Sequence, residues 1–225
     1  MKKIILFLLL SHYSFSQITQ IGSDIDGEAA GDFSGRVSLS SDGSIVAIGA
    51  TNNDGNGSNS GHVRIYEWNG STWTQKGTDI DGEASGDKSG YSVSLSSDGS
   101  IVAIGAVEND DNGDYSGQVR IYEWNGSAWA QKGSDFNGVF GDNLGYSVSL
   151  SSDGSIVAIG ANNSSDGPGY NRGKVLIYQW SGTSWNQKGS AIYGKANVDT
   201  SGESVSLSSD GSIVAIGGMG YEPYG

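Results

Sequence analysis

The chain has 225 residues, with 37 Gly, 2 Pro, no Cys and 12 basic against 25 acidic side chains, a net charge of −13. Lack of cysteine excludes disulfide scaffolds and thiolate-held metals, glycine without a three-residue period excludes collagen, and an acidic chain with no basic stripe implies no nucleic-acid partner. The 36% hydrophobic and 10% aromatic content is enough for a core, and glycine combined with β-branched and aromatic residues points to an all-β chain.

Residues 1–16 read as an export signal: Lys2 and Lys3, the apolar run from Ile4 to Leu10, then Ser14-Phe15-Ser16 as a small-residue cleavage site. Seven apolar residues are too few for a hydrocarbon core that needs about 20. Cleavage is expected after Ser16, and nothing later spans a membrane, so no membrane insertion of the mature chain is expected. Export without cysteine fits a bacterial secreted or cell-surface protein.

From residue 17 onward the chain is a repeat. Ser-Asp-Gly-Ser-Ile-Val-Ala-Ile-Gly begins at Ser41, Ser97, Ser152 and Ser209, with spacings of 56, 55 and 57. A fixed period of this size marks a solenoid, propeller or array. Segment 17–26 resembles the end of a repeat and is expected to act as a closing strand; blades follow at 27–82, 83–138 and 139–194, with a partial blade at 195–225. Ending after two strands of the fourth repeat would leave a long apolar edge strand unpaired, so Gly225 is expected to be a truncation.

In the second repeat, strands are expected at 91–96, 100–106, 118–124 and 128–133. Asp98-Gly99 and Asn125-Gly126 are two-residue signals for type I′ hairpins. With Asp98-Gly99 as the turn, Leu95 faces Val102 and Val93 faces Ile104, while the other face pairs Ser94 with Ala103 and Ser92 with Gly105. One bulky and one small face suit blades packed on both sides. The same reasoning at Asn125-Gly126 places Trp129 opposite Tyr122, with Trp124 diagonal on that face. Tyr66/Trp68/Trp73 and Tyr178/Trp180/Trp185 repeat this cluster, which serves inter-blade packing or, on the alternative reading, a glycan platform.

The segments Gly86-Asp87-Lys88-Ser89-Gly90-Tyr91-Ser92-Val93, Ala103-Ile104-Gly105-Ala106 and Gly117-Gln118-Val119-Arg120-Ile121-Tyr122 resemble the FG-GAP repeat of integrin-α-type β-propellers. The resemblance implies a β-propeller of four-stranded antiparallel blades, about 56 residues each, incomplete in this chain; a β-solenoid is the alternative. The family's Phe-Gly is replaced by Ser34-Gly35, Ser89-Gly90, Leu144-Gly145 and Ser201-Gly202. Its usual calcium loop has shrunk to Ser97-Asp98-Gly99-Ser100 and does not carry over.

Candidate chemistry is sparse. His12 lies in the export signal and His62 is placed in a loop, so no histidine-based triad or His-rich metal site is expected. The carboxylates of Asp-Ile-Asp-Gly-Glu (Asp24/Asp26/Glu28 and Asp79/Asp81/Glu83) recur at blade junctions, as turn chemistry does, whereas a glycosidase needs one pair at a defined separation. Asp110, Asn112 and Asp114 alternate as oxygen ligands in a Ca²⁺ loop can, and Asp54 and Asn56 occupy the same place one repeat earlier. No matched Glu closes these loops, and the third copy offers only Asp166. The expected function is a secreted or cell-surface, non-catalytic scaffold for adhesion or ligand binding, with an extracellular protein or glycan ligand. The alternatives are the propeller part of an enzyme acting on extracellular polysaccharide and a structural envelope module.

Overall fold

Each Ser-Asp-Gly-Ser string folds as the loop of an antiparallel hairpin. The structure, a computed structural model, describes residues 19–165 and 169–220. The expected export signal and Asp166 lie outside the described residues. The first blade holds β1 (Ser34–Leu39), β2 (Ile45–Ala50), β3 (His62–Trp68), β4 (Trp73–Gln75) and β5 (Ile80–Asp81). The second holds β6 (Ser89–Leu95), β7 (Ile101–Ala106), β8 (Gln118–Trp124), β9 (Trp129–Gln131) and β10 (Phe136–Asn137). The third holds β11 (Leu144–Leu150), β12 (Ile156–Ala161), β13 (Lys174–Trp180), β14 (Trp185–Gln187) and β15 (Ile192–Tyr193), and a two-stranded fourth follows with β16 (Ser204–Leu207) and β17 (Val214–Gly217).

Pairing within each sheet is antiparallel throughout. Each complete blade is four-stranded, with its fourth strand broken in two: β9 and β10 both pair with β8. The strand expected at 128–133 therefore ends early. Gly133 turns the chain there with φ +86°, and a Cβ on it would lie 2.6 Å from Trp185 of the next blade.

The expected register of Leu95 with Val102, Val93 with Ile104, Ser94 with Ala103 and Ser92 with Gly105 is the one observed. The turn is different. Type I′ needs positive φ at both central residues, and of Asp98 and Gly99 only Gly99 has it, at 66°. The loop comprises residues 97–100, closed by the Ser96 amide donating to the Ile101 carbonyl at 2.9 Å and the Gly99 amide to the Ser96 carbonyl at 2.9 Å. The Asp98 carboxylate organises it by accepting from the Ser96 hydroxyl and from the Ser100 amide and hydroxyl. The Ser96 Oγ in turn accepts from the Ile101 amide. One extra residue on each side of the turn leaves the register unchanged.

At Asn125-Gly126 the same lengthening moves the register. Trp129 pairs with Trp124, and Tyr122 with Gln131, so the expected Trp129–Tyr122 pair is corrected. The Asn125 Oδ1 accepts from the Ser127 and Ala128 amides, an Asx turn that draws two more residues into the loop. The slip is by two, so the aromatic side chains keep a common face, and the Trp124 and Trp129 rings lie 5.5 Å apart.

The cores lie between blades. Ile45, Ala47, Val63, Ile65 and Ile80 of the first blade pack against Leu95, Val102 and Ile104 of the second. Ile101, Ala103, Val119, Ile121 and Phe136 of the second pack against Leu144, Val148, Leu150, Val157 and Ile159 of the third. Ala47 and Ala103 of the second strands meet the bulky face of the next blade, while the third- and fourth-strand side chains on that same face are bulky too. Among the described residues the arc does not close into a ring, which leaves Val37 and Leu39 at 66% and 58% exposed and Ile213 at 69%.

Segment 19–26, expected as a closing strand, contains no strand; no neighbouring strand among the described residues pairs with it. It sits against the first blade as 75–81 sits against the second. Trp73 Nε1 donates to the Ile21 carbonyl as Trp129 Nε1 donates to that of Lys76. Arg64 donates to the Asp26 carbonyl as Arg120 does to that of Asp81, both at 2.7 Å.

Two predictions follow from the hairpin loops. Gly126 has open space around it at φ +99°, whereas a Cβ on Gly99 would lie 2.7 Å from the Ile45 Cδ1 of the preceding blade. Gly126→Ala is expected to cost about 1 kcal/mol for its positive φ, and Gly99→Ala on the order of 1–3 kcal/mol more for overpacking, read as urea-unfolding free energies. The second concerns acid. Asp42 is lowered to about 2, foremost by the Ser44 amide, and Asp210 to about 2, foremost by the Ser208 hydroxyl. Such depressed carboxyls stabilise the fold above their ordinary value of 3.8 and lose that contribution as pH falls toward about 2. Tm should fall across that window, and Asp42→Asn with Asp210→Asn should flatten the fall.

Candidate functional site

The acidic loops between second and third strands are braced by their own side chains. Asp110 Oδ1 accepts from the Tyr115 amide at 2.7 Å, and Asp54 Oδ1 from the Asn59 amide at 2.7 Å. Asn112 donates to the Gly138 carbonyl at 2.6 Å, and Asn56 to those of Gly82 and Glu83. The Asp114 carbonyl accepts from the Gly141 amide. Asp110 and Asp54 thus close their own loops, holding Tyr115 and Asn59 at φ 54° and 55°, while Asn112 and Asn56 fasten the loops to the segment entering the next blade.

The tryptophan pairs serve blade contact. Gly77 of the first blade presents its backbone to Trp124 and Trp129, where a Cβ would lie 2.9 and 3.0 Å from the two indoles. Gly22 faces Trp68 and Trp73, and Gly133 faces Trp180 and Trp185, in the same way. Lys76 and Lys132 lie over Trp124 and Trp180 at 5.3 and 4.9 Å.

A second repeated position lines the inner strands. The residue after the glycine of Ser34-Gly35, Ser89-Gly90, Leu144-Gly145 and Ser201-Gly202 is in turn Arg36, Tyr91, Tyr146 and Glu203. These four form a row on the wall of a cavity of about 480 Å³ that reaches across all four blades. Arg36 lies 5.0 Å from the centre of the Tyr91 ring, and the Tyr91 and Tyr146 rings are 5.0 Å apart. Tyr146 Oη donates to Glu203 Oε1 at 2.9 Å, while Glu203 Oε2 accepts from Asn162 at 2.8 Å. The hydrogen bond with Tyr91, burial and the Glu203 carboxylate together hold the Tyr146 phenol well above its ordinary range. The groove therefore offers two adjoining aromatic rings between a cation and an anion. Sequence reasoning missed this row; the signal was the single position that changes chemistry from repeat to repeat after an unchanged glycine.

At the outer rim, the first residue of the third strand also changes: His62, Gln118, Lys174. His62 is thus a strand residue and 1% exposed, which corrects its placement in a loop. Gln118 donates to Glu83 at 2.9 Å. Lys174 pairs with Asp142 at 2.7 Å, both side chains buried. His62 Nδ1 faces Glu28 and Asp79, at 3.8 and 3.7 Å. Burial, ahead of any charge, raises the neighbouring Asp81 carboxyl and likewise that of Asp87.

Comparison with known proteins follows the same lines. Residues 73–122 match the sequence model of the FG-GAP repeat, and a search of curated proteins gives no match. Among solved structures the chain is similar to Kuenenia stuttgartiensis hydrazine synthase, with 14% identity, a TM-score of 0.49 and coverage of 86% of this chain and 43% of that one. It is also similar to a Bacteroides fragilis protein described as a candidate 6-phosphogluconolactonase, with 12% identity, a TM-score of 0.50 and coverage of 74% and 40%. The chain spans about two-fifths of the length of these structures. At such identity the likeness concerns fold alone. The class is a β-propeller-type repeat protein, built of four-stranded antiparallel blades. Within it, residues 73–122 carry an FG-GAP repeat.

The buried Lys174–Asp142 pair gives a direct test of the rim. Removing one partner strands a charge in a dry site, so Lys174→Met is expected to cost about 3–5 kcal/mol, measured by denaturant unfolding.

Proposed function

We propose that this chain is a secreted or cell-surface, non-catalytic scaffold that binds an extracellular protein or glycan along its inner groove. The observation that carries the reading is the row Arg36, Tyr91, Tyr146, Glu203 on the wall of the 480 Å³ cavity. Aromatic faces supply contact area at low conformational cost, and charged groups at both ends fix a ligand's orientation. The groove hydroxyls are spent on structure: Ser92 and Ser147 donate to the Gly145 and Gly202 carbonyls at 2.7 Å. Among the rim carboxylates of the repeated Asp-Ile-Asp-Gly-Glu, one oxygen of Asp79 accepts from Gln75 of its own blade and Glu83 accepts from Gln118. The negative charge of the chain favours ligands that are neutral or basic overall.

The test is a glycan array and an extracellular-protein array probed with the wild-type chain and with the Tyr91→Ala, Tyr146→Ala double variant. Binding to at least one array feature is expected, weakened at least tenfold in the variant, which corresponds to about 1.4 kcal/mol. Binding that the variant retains in full would move the ligand site elsewhere, and the glycan and protein arms separate the two ligand classes.

A further inference from the structure

The side chain of His62 stands out from its counterparts in the other blades. The position is buried in all three, and in two blades its side chain donates to a carboxylate, Gln118 Nε2 to Glu83, with Gln118 Oε1 left without a partner, and Lys174 to Asp142. His62 has no hydrogen-bond partner at either ring nitrogen, although it is 1% exposed. A buried polar group without a partner costs free energy. What its Nδ1 faces instead is a pair of carboxylates, Glu28 Oε2 at 3.8 Å and Asp79 Oδ2 at 3.7 Å. The three ligand atoms lie within 4.8 Å of one another, and this is the only such group of three His, Cys, Asp or Glu side chains among the described residues.

We infer that Glu28, His62 and Asp79 form a binding site for a zinc-class divalent cation, held on the outer rim of the first blade. A tetrahedral cation bound at 2.0–2.1 Å to nitrogen and oxygen separates its ligand atoms by roughly 3.4 Å. The observed separations from Nδ1 are a few tenths of an ångström longer and all three ligand atoms lie within 4.8 Å of one another, so side-chain rotation has to close the set around the ion. The surroundings orient the ligands. Gln75 Nε2 holds the other oxygen of Asp79, Oδ1, at 2.5 Å. Asn53 donates to Glu28 Oε2 at 3.3 Å, and Arg64 lies 3.8 Å from Glu28 Oε1. Such contacts fix a carboxylate's approach to a metal. Glu28 is 46% and Asp79 29% exposed, which leaves a path for the ion from solvent and room for water as a further ligand.

The chemistry of the donors selects the ion. An imidazole beside two carboxylates suits zinc and its first-row neighbours, whereas Ca²⁺ and Mg²⁺ prefer oxygen alone. The second blade keeps both carboxylates, Glu83 and Asp135, but has Gln118 in place of the imidazole, and the third has Val139, Lys174 and Ala191 at the three positions. One site per chain is therefore expected.

The experiment uses the full chain, stripped with a chelator and titrated with Zn²⁺ by calorimetry and thermal melts. One equivalent should bind, and Zn²⁺ at about 100-fold excess over Kd should raise Tm by roughly 5–10 °C. His62→Gln copies the second blade's own residue and so retains a side chain that this position accommodates; circular dichroism checks its fold. It should lose the Zn²⁺ response, as should Asp79→Asn, while Ca²⁺ leaves wild type and variants alike unchanged at this site. Visible absorption of bound Co²⁺ gives an independent reading of a nitrogen ligand. No binding in the wild type, or an equal Zn²⁺ response in folded His62→Gln, would overturn the site.

Discussion

The blades meet backbone to backbone at their inner strands, and the rest of the arrangement depends on that approach. A Cβ on Gly49 would lie 2.1 Å from the Gly90 carbonyl oxygen, and one on Gly105 or Gly160 would lie 2.2 Å from that of Gly145 or Gly202. Real side chains cannot occupy such distances, so the glycine of every Ala-Ile-Gly-Ala segment is a steric requirement of the fold. Around these contacts run further ties between blades. The Ser41, Ser97 and Ser152 amides donate to the Ser97, Ser152 and Ser209 carbonyls. The Leu95, Leu150 and Leu207 amides donate to the hydroxyls of Ser38, Ser94 and Ser149 in the preceding blade.

With the inner edges so close, the two faces of each sheet cannot be equivalent. Ser, Ala and Gly line one face near the axis, and Leu, Val and Ile of the next blade fill against it, so each core cluster draws on two blades. Farther out, the separation widens and aromatic rings take over, with paired tryptophans closing on the glycine of the preceding blade. A single blade therefore has no core of its own, which is the nearest-neighbour logic of repeat proteins.

Two positions beside the repeated glycines diverge in chemistry from blade to blade. The inner-row position carries Arg, Tyr, Tyr and Glu, and the rim position His, Gln and Lys. Both lie beside repeated, structurally constrained glycines, so a functional group can be exchanged without altering the blade. The groove across the inner strands and the imidazole at the rim are two places where equivalent positions of the repeats carry chemically distinct side chains.

Much of the architecture could be read directly from the residues. Repetition of one nine-residue string set the blade count and period, and the Asp-Gly hairpin set the register of the first two strands, because a turn lengthened symmetrically leaves its flanking pairs unchanged. What local sequence could not specify was turn length, since the Asp98 and Asn125 side chains compete for the loop amides and only their hydrogen bonds in the folded chain decide the outcome. The break in the fourth strand recurs at a glycine of positive φ in each complete blade, Gly77, Gly133 and Gly189. Glu28, His62 and Asp79 are far apart in sequence, and no motif joins them. Only the stacking of the blade's third strand, its broken fourth strand and the loop entering its first brought an imidazole and two carboxylates to one point, because side-chain convergence is a property of packed elements and has no trace in spacing.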